Sequence, residues 1–280
     1  MKQAIIIAAG VLLAIVIAAT FISVPESTST KTVAVIPITN VLVTQSQSGL
    51  FSSASVSSQQ IINWLEKAND DKRVAAILLH INSPGGSAVA SDEIAQAIKE
   101  LDKPVVAWIR ESGASGAYWI ASEADHIIAN RMSITGSVGV TASYIGFAEF
   151  FEEHNITYEQ FTAGEHKELA TPFSELTEEQ RTILQSKLDA IHDIFLEEVR
   201  ANRNLTQQQF LRVRTGEFFL GLEALELGLV DELGSQAVVK KRLEELLEAE
   251  VRYDHYATRK TFMEELLGVR SPNQLRIEAR

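Results

Sequence analysis

Val74-Ala75-Ala76-Ile77-Leu78-Leu79-His80-Ile81, followed at once by Asn82-Ser83-Pro84-Gly85-Gly86, is the stretch that decides the fold. A nearly continuous apolar run of this length reads as a strand covered on both faces, the pattern of a parallel sheet lined by helices. The Pro-Gly-Gly turn ends it, and Ser91-Asp92-Glu93-Ile94-Ala95-Gln96-Ala97-Ile98 begins or continues an amphipathic helix. The same order then recurs. Residues 104–109 repeat the strand signal, residues 113–121 give a small-residue helix start, and residues 126–129 give another short strand. Repeated βα units with glycine turns at strand ends predict an α/β architecture.

Working outward, Val33-Ala34-Val35-Ile36-Pro37-Ile38 is a further strand signal upstream. Residues 45–58, rich in Ser, Gly and Gln, read as a loop leading into a helix over 56–68, where Ile61, Ile62, Trp64 and Leu65 share one stripe. Downstream, residues 176–200 predict a long helix and 205–212 a shorter one. Gly216, Gly221, Gly228 and Gly234 punctuate the region 215–234, and 236–250 predicts a charged helix with Val238, Val239, Leu243, Leu246 and Leu247 on its packing side. From residue 251 the composition turns mixed and more basic, which predicts a tail outside the core. The organisation expected is an anchor over 1–25, a juxtamembrane linker over 26–32, a main domain over 33–250 and a tail over 251–280.

The 280 residues are 46% apolar and 22% charged, enough for one good-sized domain with extra segments or two small ones. A formal net charge of −12 argues against a nucleic-acid partner, which would call for a basic face. With no cysteine there is no disulfide framework, thiolate nucleophile or thiolate metal site, and His80, His126, His154, His166, His192 and His255 form no metal-like cluster or HExxH pattern. No metal and no cofactor are expected. Residues 4–24 form an uncharged run of 21 after Lys2. About 20 helical residues cross a hydrocarbon core, so the run predicts an uncleaved transmembrane helix; a cleaved signal peptide is the rival, but its apolar core is usually shorter. Lys2 would stay cytoplasmic and the body of the chain would face the extracytoplasmic side, although Lys31 weakens that bias.

Three features carry chemistry. Glu111-Ser112-Gly113-Ala114-Ser115-Gly116-Ala117-Tyr118 places a serine among small residues after a strand-like run, where its hydroxyl can be exposed and backbone can approach closely. A serine hydroxyl needs a base within hydrogen-bond reach, no His–Asp arrangement stands out, and a lysine serves only when burial and neighbouring donors favour its neutral amine. Lys167 is such a candidate, though by itself it reads as an ordinary surface lysine, and Ser115 by itself as a packing or capping residue. Tight-turn N–H groups at 82–86 together with Gly116 can serve as fixed donors to a tetrahedral oxyanion, or the turn can be a plain helix entry. Ser112 competes as nucleophile from one turn earlier. His166 adjoins Lys167, but neighbouring side chains in an extended segment point apart, so it reads as a cleft-edge or surface residue.

Ser83-Pro84-Gly85-Gly86, Ser112-Gly113-Ala114-Ser115-Gly116-Ala117-Tyr118, Thr135-Gly136-Ser137-Val138-Gly139-Val140 and Gly164-Glu165-His166-Lys167 resemble, in order, the motifs of the signal peptide peptidase A family. The resemblance spans roughly 33–243. It implies the ClpP/crotonase-like fold of repeated ββα units, behind an N-terminal transmembrane helix. It implies Ser115 as nucleophile, Lys167 as general base, Ser137 as the residue orienting the lysine, and Gly116 with Gly85 or Gly86 as the oxyanion hole. Gly116-Ala117 departs from the two glycines more usual there, which narrows the cleft by a methyl and keeps the N–H. The implied activity is that of an endopeptidase acting on remnant signal peptides and other hydrophobic or unfolded peptides. The implied assembly is a homo-oligomer, commonly an octamer, whose grooves are lined by more than one protomer. A stomatin-associated membrane serine protease of the same fold and a non-catalytic membrane-anchored scaffold are the competing readings.

Overall fold

The structure, a computed structural model, describes residues 29–45 and 56–256. In chain order its elements are β1 (Thr30–Val43), β2 (Val56–Ser57), α1 (Ser58–Asp70), β3 (Val74–Gly86), α2 (Ala88–Lys99), β4 (Val105–Ala114), α3 (Gly116–Ser122), β5 (His126–Ala129) and β6 (Ile134–Gly136). Next come α4 (Ala148–Glu153), α5 (Glu178–Asn202), α6 (Gln207–Val213), β7 (Phe218–Leu220), α7 (Gly221–Glu226), β8 (Glu232–Leu233), α8 (Gln236–Leu247) and β9 (Glu250–His255). The central order is β2-β1-β3-β4-β5-β8, with β9 also on β1, and every pairing is parallel except β6 with β7. A mixed α/β sheet is therefore present, as the βα order predicts.

Both faces of β3 are covered, which is why its sequence is almost uniformly apolar. Ile77, Leu79 and Ile81 pack with Ile36 and Ile38 of β1 under α1, α2, α3 and α5, while Ala76 and Leu78 pack with Val33, Val35, Val106 and Trp108 under Val239, Leu243 and Leu247 of α8. Each buried Ile, Leu or Val among these contributes roughly 1.5–3 kcal/mol. Helix starts are capped by side chains: Ser57 opens α1, Ser87 opens α2, and Thr177 and Thr206 form capping boxes with Gln180 and Gln209 at α5 and α6.

Three boundaries differ from the expectation. β1 already begins at Thr30, so the linker expected over 26–32 gives way to sheet, and β3 and β4 run on through the residues read as turns. The tail expected from 251 instead starts as β9, whose residues pair in register from Thr30↔Glu250 to Val35↔His255. α8 stops at Leu247 because Glu248 turns left-handed (φ 49°), sending the chain back along β1, and Lys31 Nζ donates to the Leu247 carbonyl at 2.9 Å. The expected transmembrane helix over 4–24 lies outside the described residues, as does 257–280. Among the described residues no helix is long and apolar enough to cross a membrane.

On the α8 side, His80 sits between Pro37 and Trp108 in the ladder, its ring centroid 5.1 Å from that of Trp108. Burial first, then the Arg110 and His255 charges, push its imidazole from 6.5 down to about 4. The folded chain keeps it neutral where the unfolded chain takes a proton. The stabilisation is therefore complete above pH 6.5 and is lost as the pH falls toward 4. The loss is on the order of 3 kcal/mol. Urea midpoints should fall across that window, and His80→Gln should flatten the fall; an unchanged slope would contradict the assignment.

Candidate active site

The candidate residues stand where three strands end. β4 stays beside β3 as far as Ser83↔Gly113, with a register shift after Ile81, while its other edge changes partner after Ile109: Val106–Ile109 pair with β5, and Ser112, Gly113 and Ala114 pair with Ile134, Thr135 and Gly136 of β6. Buried Ser133 donates to the carbonyls of Ile109 and Arg110 at the change of partner, and Thr135 Oγ1 donates to Gly113 at 2.9 Å, so these carbonyls are satisfied there. Ser115 follows directly, as the N-cap of the wholly buried α3, with φ 53° and ψ −130°. A non-glycine residue there carries about 1–3 kcal/mol of strain. It is held by its N–H, which donates to Gly136 at 2.8 Å, and by its carbonyl, which accepts from Tyr118 N at 2.8 Å and Trp119 N at 3.0 Å. Its side chain is not spent capping α3.

α3 is fixed from below. Tyr118 is fully buried and donates its hydroxyl to Leu229 at 2.7 Å; burial raises its ionisation well above the usual phenol range. Trp119 stacks on Phe195 of α5 at 4.7 Å and donates Nε1 to Glu198 at 2.7 Å.

The glycines meet this junction backbone to backbone. A Cβ on Gly85 (φ +99°) would lie 2.8 Å from both Ala114 O and Gly116 N, and one on Gly116 would lie 2.1 Å from Ser91 Oγ. A Cβ on Gly86 would lie 2.2 Å from Leu42 O. The two N–H groups of the pair are not equivalent. That of Gly85 donates to Ser83 Oγ at 3.1 Å. Leu42 pairs with Gly86 in a parallel ladder in which Ser87 N donates to Leu42 O at 2.9 Å, and this register turns the Gly86 N–H away from β1. It faces the side on which Gly116 lies: a Cβ on Gly116 would stand 3.6 Å from Gly86 N. The Gly116 N–H opens α3 and has no intrahelical acceptor.

Ser137 is brought alongside. Ala114 pairs with Gly136, so Ser115 and Ser137 are each the first residue past that pair, on strands about 4.8 Å apart. Ser137 also has positive φ (51°), and its N–H donates to Glu217 O at 3.0 Å. His192 Nε2 of α5 donates to Val138 O at 3.0 Å and steadies the chain just beyond. Ser112, the competing serine, is a ladder residue of β4 whose N–H donates to Asn82 Oδ1 at 3.2 Å.

Lys167 is not enclosed with them. It lies exposed in a turn over 165–170, on an arm between β6 and α5, and its amine makes no hydrogen bond or ion pair among the described residues. The arm knits to itself through Phe151 stacked on Phe173 at 5.5 Å and Tyr144 Oη donating to Thr171 O and Ser174 O, and α4 within it buries no residue. Sequence reading missed the supports: Ser91 against Gly116, Ser83 taking the Gly85 N–H, Ser133 at the change of partner along β4 and His192. It also missed that Glu165, His166 and Glu179 come together, each exposed, with one ligand-type atom apiece all within 4.8 Å of one another. His166 is a surface residue, as expected, but the histidines are not all outside a metal-like cluster.

The model of Peptidase family S49 matches residues 97–251, over half the chain. A putative protease of Methanocaldococcus jannaschii is 33% identical over 200 residues, covering 71% of this chain and 64% of the relative. A putative signal peptide peptidase SppA of Enterococcus faecium is 31% identical over 75% of this chain and 62% of its own, and Protease 4 of Haemophilus influenzae 36% identical over 67% and 31%. The chain thus spans less than two thirds of each relative's length. Among solved structures, a mutant of the 1510-N membrane-bound stomatin-specific protease superposes with a TM-score of 0.51 at 15% identity, over 82% of this chain and 100% of that one, a likeness of fold. The chain belongs to peptidase family S49. Within it, the relatives named signal peptide peptidase SppA and Protease 4 support the signal peptide peptidase A family that the four motifs resemble.

The glycine contacts are directly testable. Gly86→Ala forces a methyl into the Leu42 backbone and should cost about 1–3 kcal/mol by chemical denaturation. Gly139→Ala, whose nearest neighbour is Gly216 Cα at 3.5 Å, should cost well under half of that. Equal costs would show that the close approach is not what requires glycine.

Proposed function

We propose that this chain is a serine endopeptidase in which Ser115 is the nucleophile and Lys167 the base. The observation that carries the reading is the junction itself: a serine held at positive φ beside two glycine N–H groups that no strand or helix partner uses. Ser115 Oγ attacks the peptide carbonyl while Lys167 takes its proton, and the N–H groups of Gly86 and Gly116 receive the developing oxyanion. Of the glycine pair, Gly86 is assigned this role and Gly85 the close approach, because the Gly85 N–H is already given to Ser83. The lysine then returns the proton to the leaving amine, and water hydrolyses the acyl-enzyme by the reverse path. Ser137, on the strand end beside Ser115, accepts from the lysine amine and orients it. The chemistry requires no metal or cofactor.

A lysine becomes a base only where it is desolvated. Since Lys167 is exposed on its arm, a second surface has to cover that arm, and we assign this to another copy of the chain. The arm carries Ile145, Phe150, Ile156 and Phe161, the last 92% exposed, an apolar surface of the kind that marks an interface. The working form is then a homo-oligomer, an octamer by resemblance to the family. Its ClpP/crotonase-like body is held on the extracytoplasmic side of the cell membrane by residues 4–24. Its substrates are remnant signal peptides and other hydrophobic or unfolded segments, which a tethered site meets at high effective concentration.

Two measurements test this. Ser115→Ala and Lys167→Ala should each abolish turnover of a fluorogenic apolar peptide while keeping wild-type assembly mass; wild-type rates in either would remove that residue from the mechanism. Phe161→Asp should lower the assembly mass and the turnover together. Wild-type mass in that variant would sink the role of the arm.

A further inference from the structure

Glu165 and His166 lie on the turn that carries Lys167, and Glu179 lies in the first turn of α5. Two separate segments thus bring an imidazole and two carboxylates together, one ligand atom of each lying within 4.8 Å of the others. Like-charged carboxylates so close repel unless a cation lies with them. The neighbouring acids have partners, Glu178 in Arg181 and Glu168 in the Thr162 hydroxyl, whereas among the described residues neither Glu165 nor Glu179 pairs with a lysine or arginine. His166 Nε2 stands 4.0 Å from Glu179 Oε1, within ion-pair reach when the imidazole is protonated but too far for a hydrogen bond, so no short bond occupies the three ligand atoms. Donors around a tetrahedral zinc, bonded at about 2.0–2.2 Å, stand about 3.3 Å apart. Rotation of three exposed side chains has to close at most about 1.5 Å.

We propose that Glu165, His166 and Glu179 form a binding site for a divalent transition-metal ion, with Zn2+ as the type ion and water completing its coordination. Nitrogen with carboxylate oxygen is a donor set that suits zinc, and three protein ligands leave a fourth position open. The bound ion ties the Lys167 turn to α5 and thereby restricts where the lysine can reach, so that the metal slows cleavage. That consequence rests on the proposed serine–lysine chemistry; the binding does not.

The test is calorimetric titration of the chelator-stripped full-length protein with Zn2+, alongside His166→Ala, Glu179→Gln and Lys167→Ala. One ion per chain is expected. The first two variants should bind at least about tenfold more weakly, since loss of a ligand should cost no less than loss of an outer-shell partner. Lys167→Ala should bind like wild type. Absence of binding to wild type, or wild-type affinity in both ligand variants, overturns the site. In the peptide assay, Zn2+ should slow wild type and should slow His166→Ala at least about tenfold less effectively at equal concentration. Equal slowing of the two overturns the regulatory consequence. Turnover retained by Lys167→Ala removes the dyad while leaving a measured metal site standing, so the two failures are distinguishable.

Discussion

Backbone pressed against backbone at the end of the central strands governs this molecule. Gly85 and Gly86 carry β3 into contact with Leu42 on one side and with the Ala114–Gly116 peptides on the other, at separations where any Cβ would collide. A parallel strand can leave its ladder beside another strand's helix junction only if both give up their side chains there. The position of Ser115, the direction of the Gly86 N–H and the burial of α3 all follow from that approach. The Thr135–Gly136 register on β4 does the same for Ser137 from the other side.

The rest of the fold braces this meeting point. The apolar rows of β1, β3 and β4 hold the strands in register between α1, α2, α3 and α5 on one face and α8 on the other, and a slip of one residue would turn every side chain to the wrong layer. Phe195, Leu196 and Val199 of α5 lock α3, so the strain at Ser115 is offset by burial below it. The arm contrasts with this. It is self-bonded and largely exposed, and it bears the lysine. The division between a rigid nucleophile end and an arm that needs covering accounts for why the proposed chemistry is assigned to an assembly.

Much of the scaffold was legible in the sequence because its signals are long or strongly patterned. The apolar run at 74–81, the strand at 126–129 and the helix expected over 176–200 appear within a few residues of their reading. β6, β7 and β8 were not legible: two or three residues carry no periodicity, and their partners lie far along the chain. β9 was misread because Val251 and Tyr253 alternate with Arg252 and Asp254, the pattern of an edge strand with one wet face, and the charges suggested a tail. The four motifs singled out Ser115, Ser137, Lys167 and the glycines. They could not choose between Gly85 and Gly86, because the Ser83 side chain and the β1 register decide which N–H is free. Nor could spacing foresee Glu165, His166 and Glu179 meeting, since a turn happens to fold against a helix start.

The central claim is that Ser115 is the group that attacks. Its most direct test is to treat the full-length protein with a fluorophosphonate and locate the adduct by peptide mass spectrometry. One adduct per chain on Ser115, strongly reduced in Lys167→Ala, is the result this account predicts. An adduct on Ser112, or undiminished labelling of Ser115→Ala, would contradict it.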